Sequence, residues 1–402
     1  MNNNIINDRK KDLLSIVEDL DITPTMFSNA VNKYNSITSV LKGKGIDAHI
    51  YPQGSFAIGT VVKPKVRKRK AEYDLDVVCE VNYNKSSISP AELYEELKNA
   101  LESDGRYTSK MEYYDECITI NYSEINNVGF SIDIVPSVHE DQKTIQSMKA
   151  RSTKPTLCDT SIAITTNKAL DWGSSNPKGF QVWFENENQR FIDCGVNTNV
   201  EKLLSENRAV YTSVDRIPKT LIKTPLQRVI QLMKIHNNEF FNNPQINKYK
   251  VKSVIIATLV TTVAAGAPAY YNTFELLEFI LDRLTNYNKL HENHVLFRSE
   301  HPLETLIQYD GTHWFIENPS NPNDNLGNSW NDDSKNAKYF FIWLNALIQD
   351  YKSLNNENNT VGMINFFGES TLSKTDIGKK YIPQKSAPIK IEAQNKPWRE
   401  NE

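Results

Sequence analysis

The sequence predicts an α+β fold: a mixed sheet unit framed by helices, followed by a helical half. Three observations carry that prediction. Apolar positions recur at helical spacing from residue 8 to 43, β-rich segments cluster between residues 48 and 135, and helical periodicity returns after about residue 200. A chain of 402 residues is long enough for two or three domains with their own cores. The expected divisions are 1–210, 211–362 and a tail at 363–402.

Taken in order, Leu13, Leu14, Val17 and Leu20, then Met26, Phe27, Ala30, Val31 and Tyr34, mark one long helix or two helices broken near "DITPT". Residues 48–51, 73–82, 116–122 and 128–135 read as strands. Between them, "SPAELYEELKNALES" reads as a helix opened by its serine-proline pair. In "KTPLQRVIQLMKIHNNEFF", Thr224 is the expected N-cap and Pro225 the first helical residue, with Leu226, Val229, Ile230, Met233 and Phe240 as the apolar stripe. Residues 251–266, 273–288 and 335–354 are further helices. After that, periodicity gives way to lysine and proline, which suits a mobile or partner-docked tail.

Composition excludes several function classes. A net charge of -3 argues against coating long nucleic acid, where phosphate neutralisation favours a strong positive excess. The longest apolar run, "VIIATLVTTVAAGA", is too short for a membrane span, and the N-terminus has no apolar core of a signal peptide. Cys79, Cys117, Cys158 and Cys194 form no CxxC pair and read as reduced core thiols of a cytoplasmic protein. His291 and His294 of "HENH" could share a helix face and bind metal. No third ligand is evident, and a solvated polar turn explains them as well.

The chemistry concentrates in "GSFAIGTVVKPKVRKRKAEYDLDVVCEV". Gly54 lets the backbone approach a ligand closely, and amides at a helix start favour phosphate oxygens, to which Ser55 adds a hydroxyl. Alone, a Gly-Ser turn is most often structural. Asp74 and Asp76 stand two apart in a strand, so both point to one side of the sheet and repel unless a cation lies between them. Asp133, between Ile132 and Ile134 in "GFSIDIVPS", is a third acid in a second strand. If the two strands are neighbours, three carboxylates meet at one sheet end, and oxygen-only ligation of that kind suits Mg²⁺ or Mn²⁺. That requires Asp133 to lie within about ten ångströms of the other two.

The ordered set "YPQGSFAIGTVV", "YDLDVV", "SIDIVPSV", "NPKGFQVWF", "TPLQRVIQLMKIHNNEFF" and "IENPSNPNDNLGNSWND" resembles the DNA polymerase β-like nucleotidyltransferase superfamily, and within it the bacterial CD-NTases. The resemblance spans roughly residues 10 to 350 and implies a nucleotidyltransferase core with a long N-terminal spine helix and an oligoadenylate-synthetase-like helical domain. It implies an enzyme that joins nucleoside triphosphates into a cyclic di- or trinucleotide, releases pyrophosphate and feeds a separate effector in antiphage defence. The alternatives are a linear oligonucleotide or RNA nucleotidyltransferase and an inactive nucleotide-binding scaffold. ATP, with GTP or a pyrimidine triphosphate, would be the substrate; a monomer without a stable nucleic-acid or membrane partner is expected.

By the same resemblance, Gly54 and Ser55 hold the donor phosphates, and Asp74, Asp76 and Asp133 ligate two Mg²⁺ or Mn²⁺ ions. Lys234 reaches the triphosphate, although a lysine at a stripe's edge usually snorkels to water. Tyr249 stacks on a base. The asparagines and Trp330 of "NPNDNLGNSW" lock the helical half. One departure is the inserted "KPKVRKRKAEY", which puts eighteen residues between Ser55 and Asp74. It is expected as a basic loop in which Lys63, Arg67, Lys68 or Arg69 either contacts phosphate or is simply solvated.

Overall fold

Two helices, not one, open the chain: α1 (Asn2–Asp19) and α2 (Pro24–Gly43). Pro24 cannot donate to a preceding turn, so the helix restarts there, with the Thr23 hydroxyl accepting from the Met26 amide. The computed structural model describes residues 2–62, 71–114, 116–125, 128–166, 171–191, 223–354 and 360–383. The break separates two destinations. Leu13, Ile16 and Val17 of α1 are buried in the core of the helical half, whereas Phe27, Val31, Tyr34, Ile37 and Leu41 of α2 pack on the sheet. Full burial of each such side chain is worth roughly 1.5–3 kcal/mol, which is enough to hold each helix to its own core.

Next come β1 (Ala48–Pro52), the single turn α3 (Gly54–Ala57), β2 (Ala71–Val81), α4 (Pro90–Glu102), β3 (Met111–Tyr113), β4 (Ile118–Ile125) and β5 (Val128–His139). The strands run β1-β2-β5-β4-β3 across one sheet. Only the β2–β5 pair is parallel. Beyond α5 (Gln142–Arg151), β6 (Ile162–Ile164) extends the β5 edge and β7 (Gly173–Ser175) pairs with β6. Alternation then divides the faces. Leu75, Val77, Cys79, Ile132 and Ile134 are buried against α2 and α4. Asp76, Val78 and Glu80, with Asp133 across the ladder, occupy the opposite register. Ser89 and Glu92 close α4 with a reciprocal capping box.

The helix α6 (Pro177–Gln189) buries Trp183 and Phe184 in the core of the helical half. That half contains α7 (Pro225–Phe240), α8 (Ser253–Ala264), α9 (Thr273–Thr285), α10 (Asn288–Glu292), α11 (His294–Glu300), the β8–β9 ribbon (Gln308–Tyr309, Trp314–Phe315), α12 (Asn328–Asp332) and α13 (Lys335–Ser353). Thr224 and Gln227 form the capping box of α7, with Pro225 in its first turn. Among the described residues no helix is long and apolar enough to cross a membrane.

One expectation needs correction, and one open reading is decided. The tail assigned to 363 onward starts inside α14 (Thr360–Phe367), and α15 (Glu369–Leu372) follows. Met363, Phe366, Phe367 and Leu372 are buried, and the Tyr381 hydroxyl donates to Asp12 at 2.7 Å. The apolar group "GMINFF" is too short to show a helical period, yet it completes the core; residues 384–402 lie outside the described residues. His291 and His294 do not share a helix face either. Asn293 caps α11 between them, and the two rings pack on different aromatics, Phe341 and Tyr309. The boundary expected at 210 and Cys194 lie outside the described residues; Cys79, Cys117 and Cys158 are free thiols.

Candidate active site

The floor of the site is the parallel β2–β5 pair. Asp76 and Asp133 are direct ladder partners, on strands about 4.8 Å apart. Asp74 lies two positions earlier in β2, opposite Ser131. Its side chain lies outside the described residues, as does the whole basic loop with Lys63, Arg67, Lys68 and Arg69. The Thr119 hydroxyl, on β4, donates to Asp133 Oδ1 at 2.6 Å.

The turn before β2 is tied to the same place. The Gln53 amide donates to the Asp76 carbonyl at 2.7 Å, and Gly54 follows with φ +62°. A Cβ at position 54 would stand 2.7 Å from Asp76 Oδ2, so only glycine brings the backbone this close to the carboxylate. Phe56 stacks on Phe27 of α2 with centroids 5.0 Å apart, which anchors α3. The chain reverses at Gly59, φ +69°, and its next carbonyls turn toward α7.

There α7 carries a polar stripe through an otherwise apolar helix. Gln227 Nε2 donates to the Ile58 carbonyl, Gln231 Nε2 to the Val61 carbonyl, and Lys234 Nζ to the Thr60 carbonyl, each at 2.9 Å. Lys234 Nζ also donates to Ser55 Oγ at 2.7 Å. These positions are i, i+4 and i+7, one face of the helix. Burial pulls the Lys234 ammonium down to about 7, with Lys250 adding to the shift and Asp76 opposing it. Sequence reasoning found Lys234 but missed Gln227 and Gln231. Their signal was there, as amides at helical spacing from the lysine.

Between the sheet and α7 opens a cleft of about 620 Å³, well inside the range of about 300–1,000 Å³ usual for small-molecule sites. Gly54, Ser55, Thr60 and Asp76 line one side, Lys234, Asn238, Lys250 and Ser253 another, and Asn176, Phe180, Asn318 and Asp324 close the far end. Two carboxylates, Asp76 and Asp324, and two lysines, Lys234 and Lys250, therefore share one opening. The Asn-rich segment joins the halves at this end: Asn176 Nδ2 donates to the Ser320 carbonyl at 2.7 Å, and the Ser320 hydroxyl returns a bond to the Asn176 carbonyl at 3.1 Å.

Residues 8–188 match the family described as Second Messenger Oligonucleotide or Dinucleotide Synthetase domain. A c-di-GMP synthase of Roseivirga ehrenbergii is 27% identical over 347 residues, which are 85% of this chain and 78% of that protein. The Bradyrhizobium diazoefficiens CD-NTase CdnG, solved in complex with GTP, shares the fold with a TM-score of 0.63 at 20% identity, over 92% of this chain and 97% of that one. The chain has the fold of the CD-NTases. CdnC of E. coli MS115-1, solved with ATP, has the same fold with a TM-score of 0.55 at 13% identity, over 90% of this chain and 98% of that one.

In this chain the structure brings Gly54, Ser55, Asp76, Asp133 and Lys234 together. Tyr249 does not join them. It is 6% exposed, its ring stacks on Tyr339 with centroids 4.7 Å apart, and Lys248 lies over it at 4.8 Å. The cleft is lined instead by the next residue, Lys250. Tyr249 is thus a core aromatic here, because the short turn Asn247–Tyr249 packs it against α13. The asparagines do lock the structure: Asn325 and Asn331 both donate to the Trp314 carbonyl, and Trp330 is buried.

Proposed function

We propose that this chain is a CD-NTase that joins nucleoside triphosphates into a cyclic di- or trinucleotide and releases pyrophosphate. The product acts as a messenger for a separate effector in antiphage defence. One observation carries the reading: Asp76, in register with Asp133 on the neighbouring strand, lines the same cleft as the Ser55–Lys234 contact. The name of the Roseivirga relative, a cyclic dinucleotide synthase, and the GTP and ATP bound to the two structural relatives support the substrate class.

The geometry distributes the work as follows. The backbone at Gly54 and the Ser55 hydroxyl bind the β- and γ-phosphates. Lys234 has three donors, and two are engaged with Ser55 and the Thr60 carbonyl; the third serves the polyphosphate. Asp74, Asp76 and Asp133 would hold two Mg²⁺ or Mn²⁺ ions, and the residues seen fit that role. They are hard oxygen donors placed side by side, with no side chain on Gly54 to crowd Asp76. Held by these carboxylates, the ions would supply positive charge that lowers the pKa of a ribose hydroxyl and offsets the charge of pyrophosphate. Asp133, beside that hydroxyl, orients it toward the α-phosphorus. Two such attacks close a dinucleotide ring and three a trinucleotide ring, the last by the other end of the same intermediate, and each releases one pyrophosphate.

Incubating the protein with labelled triphosphates and then phosphatase tests this, since a ring has no terminal phosphate to lose. A resistant product is expected. Asp76→Asn should remove several kcal/mol of charge stabilisation and cut turnover by about a thousandfold. A product wholly sensitive to phosphatase, or undiminished turnover in the variant, would refute the reading.

A further inference from the structure

We propose that Thr119 is a positioning residue that orients the Asp133 carboxylate for metal binding; this rests on the metal-dependent reading of the site. Thr119 and Asp133 are ladder partners across the antiparallel β4–β5 pair. The hydroxyl donates to Asp133 Oδ1 at 2.6 Å, the length of a charge-assisted bond. Thr119 is 6% exposed, and its strand neighbours Ile118 and Ile120 are fully buried in the opposite face of the sheet. The donor is therefore held by the backbone and by its own branched Cβ, which leaves few rotamers.

An aspartate in such a pair needs this help. Rotation about its last torsion is broad and two-fold, so the carboxylate plane is not set by the backbone. Asp76 stands next to it in register, and two like charges drive each other away from a shared ligand. A donor fixed on the far side of Asp133 from β2 offsets that repulsion and selects one orientation. The hydroxyl's other polar neighbour is Cys117, whose Sγ lies 3.9 Å from Thr119 Oγ1, much farther than Asp133.

The test uses full-length protein, Mn²⁺ and a non-hydrolysable triphosphate, with bound Mn²⁺ read by electron paramagnetic resonance. Thr119→Val keeps the shape and removes the donor; Thr119→Ser keeps the donor. Groups that orient metal ligands typically contribute about 10–100-fold in affinity, so Thr119→Val should weaken Mn²⁺ binding by that factor while Thr119→Ser stays within about threefold of wild type. Unfolding temperatures in metal-free buffer should stay close to wild type. Equal weakening in both variants with lowered unfolding temperatures would reveal a purely structural threonine and overturn the proposal. So would wild-type Mn²⁺ affinity in Thr119→Val while Asp133→Asn binds poorly, a result that leaves the metal site intact. If Asp133→Asn itself binds Mn²⁺ like wild type, the metal reading fails and the proposal with it.

Discussion

Lys234 shows how much one side chain can be asked to do. It is buried between Ser55 and the Thr60 carbonyl, and it sits near Lys250. Its folded-state value is about 7 against an ordinary 10.5, so the unfolded chain holds the proton more tightly between those limits. Stability contributed by this group therefore rises with pH across that window. Triphosphate binding works the other way, since the phosphate charge favours the ammonium and draws a proton in. Apparent KM for triphosphate should climb up to about tenfold per pH unit above 7. Lys234→Met, which loses a charge-assisted bond of roughly 1.5–3 kcal/mol, should raise KM about 10–100-fold and flatten that climb. Steady-state kinetics from pH 7 to 9 decide it; a wild-type KM independent of pH would exclude the role. At this scale the acids were legible, because a carboxylate inside a strand has few reasons to exist. Tyr249 was not, because an aromatic suits a core and a base equally, and only the packing of the turn before α8 chooses.

Helix α7 shows why elements matter beyond their endpoints. Its cap, proline start and apolar stripe were all readable from "TPLQRVIQLMKIHN", and the helix starts where they say. What the stripe could not reveal is the destination of the amides opposite it. Gln231 donates to the Val61 carbonyl and to Asp21, and receives a bond from Arg228, so one residue joins the phosphate turn to the elbow between α1 and α2. Gln231→Leu leaves a buried carbonyl unpaired, which should cost about 1–3 kcal/mol of stability. If the clamp also sets the turn for phosphate, KM for triphosphate rises in parallel. Urea unfolding read beside KM separates the two effects; a lower midpoint with unchanged KM would limit Gln231 to a structural part.

Over the whole molecule, the halves seen in the sequence are not the halves of the packing. The first helix and α6 lie among sheet elements in the chain, but bury Leu13, Ile16, Trp183 and Phe184 with the helical core. Period and apolarity predict that a helix has a buried face, yet they do not say which core receives it, so this crossing was invisible beforehand. The far end of the cleft is closed by contacts across the same divide. Arg151 donates to Asn323, Thr153 to Glu317 at 2.9 Å, and Asn176 to both the Ser320 and Leu157 carbonyls. Asn176→Ala would strip two buried acceptors, at about 1–3 kcal/mol each. Amide hydrogen exchange over residues 318–326 should then quicken by about tenfold or more, with β2 and β5 unaffected. Protection unchanged in that segment would show that the seam is held elsewhere.

The turn at Ile58 to Val61 emerges from the ribosome long before Pro225, where the helix that grips its carbonyls begins. A half-translated chain therefore carries its acids and its Gly-Ser turn but lacks the amides and lysine of α7 that grip the turn's carbonyls. The grip on those carbonyls is complete only once residue 240 has been made, and that timing comes from chain order alone.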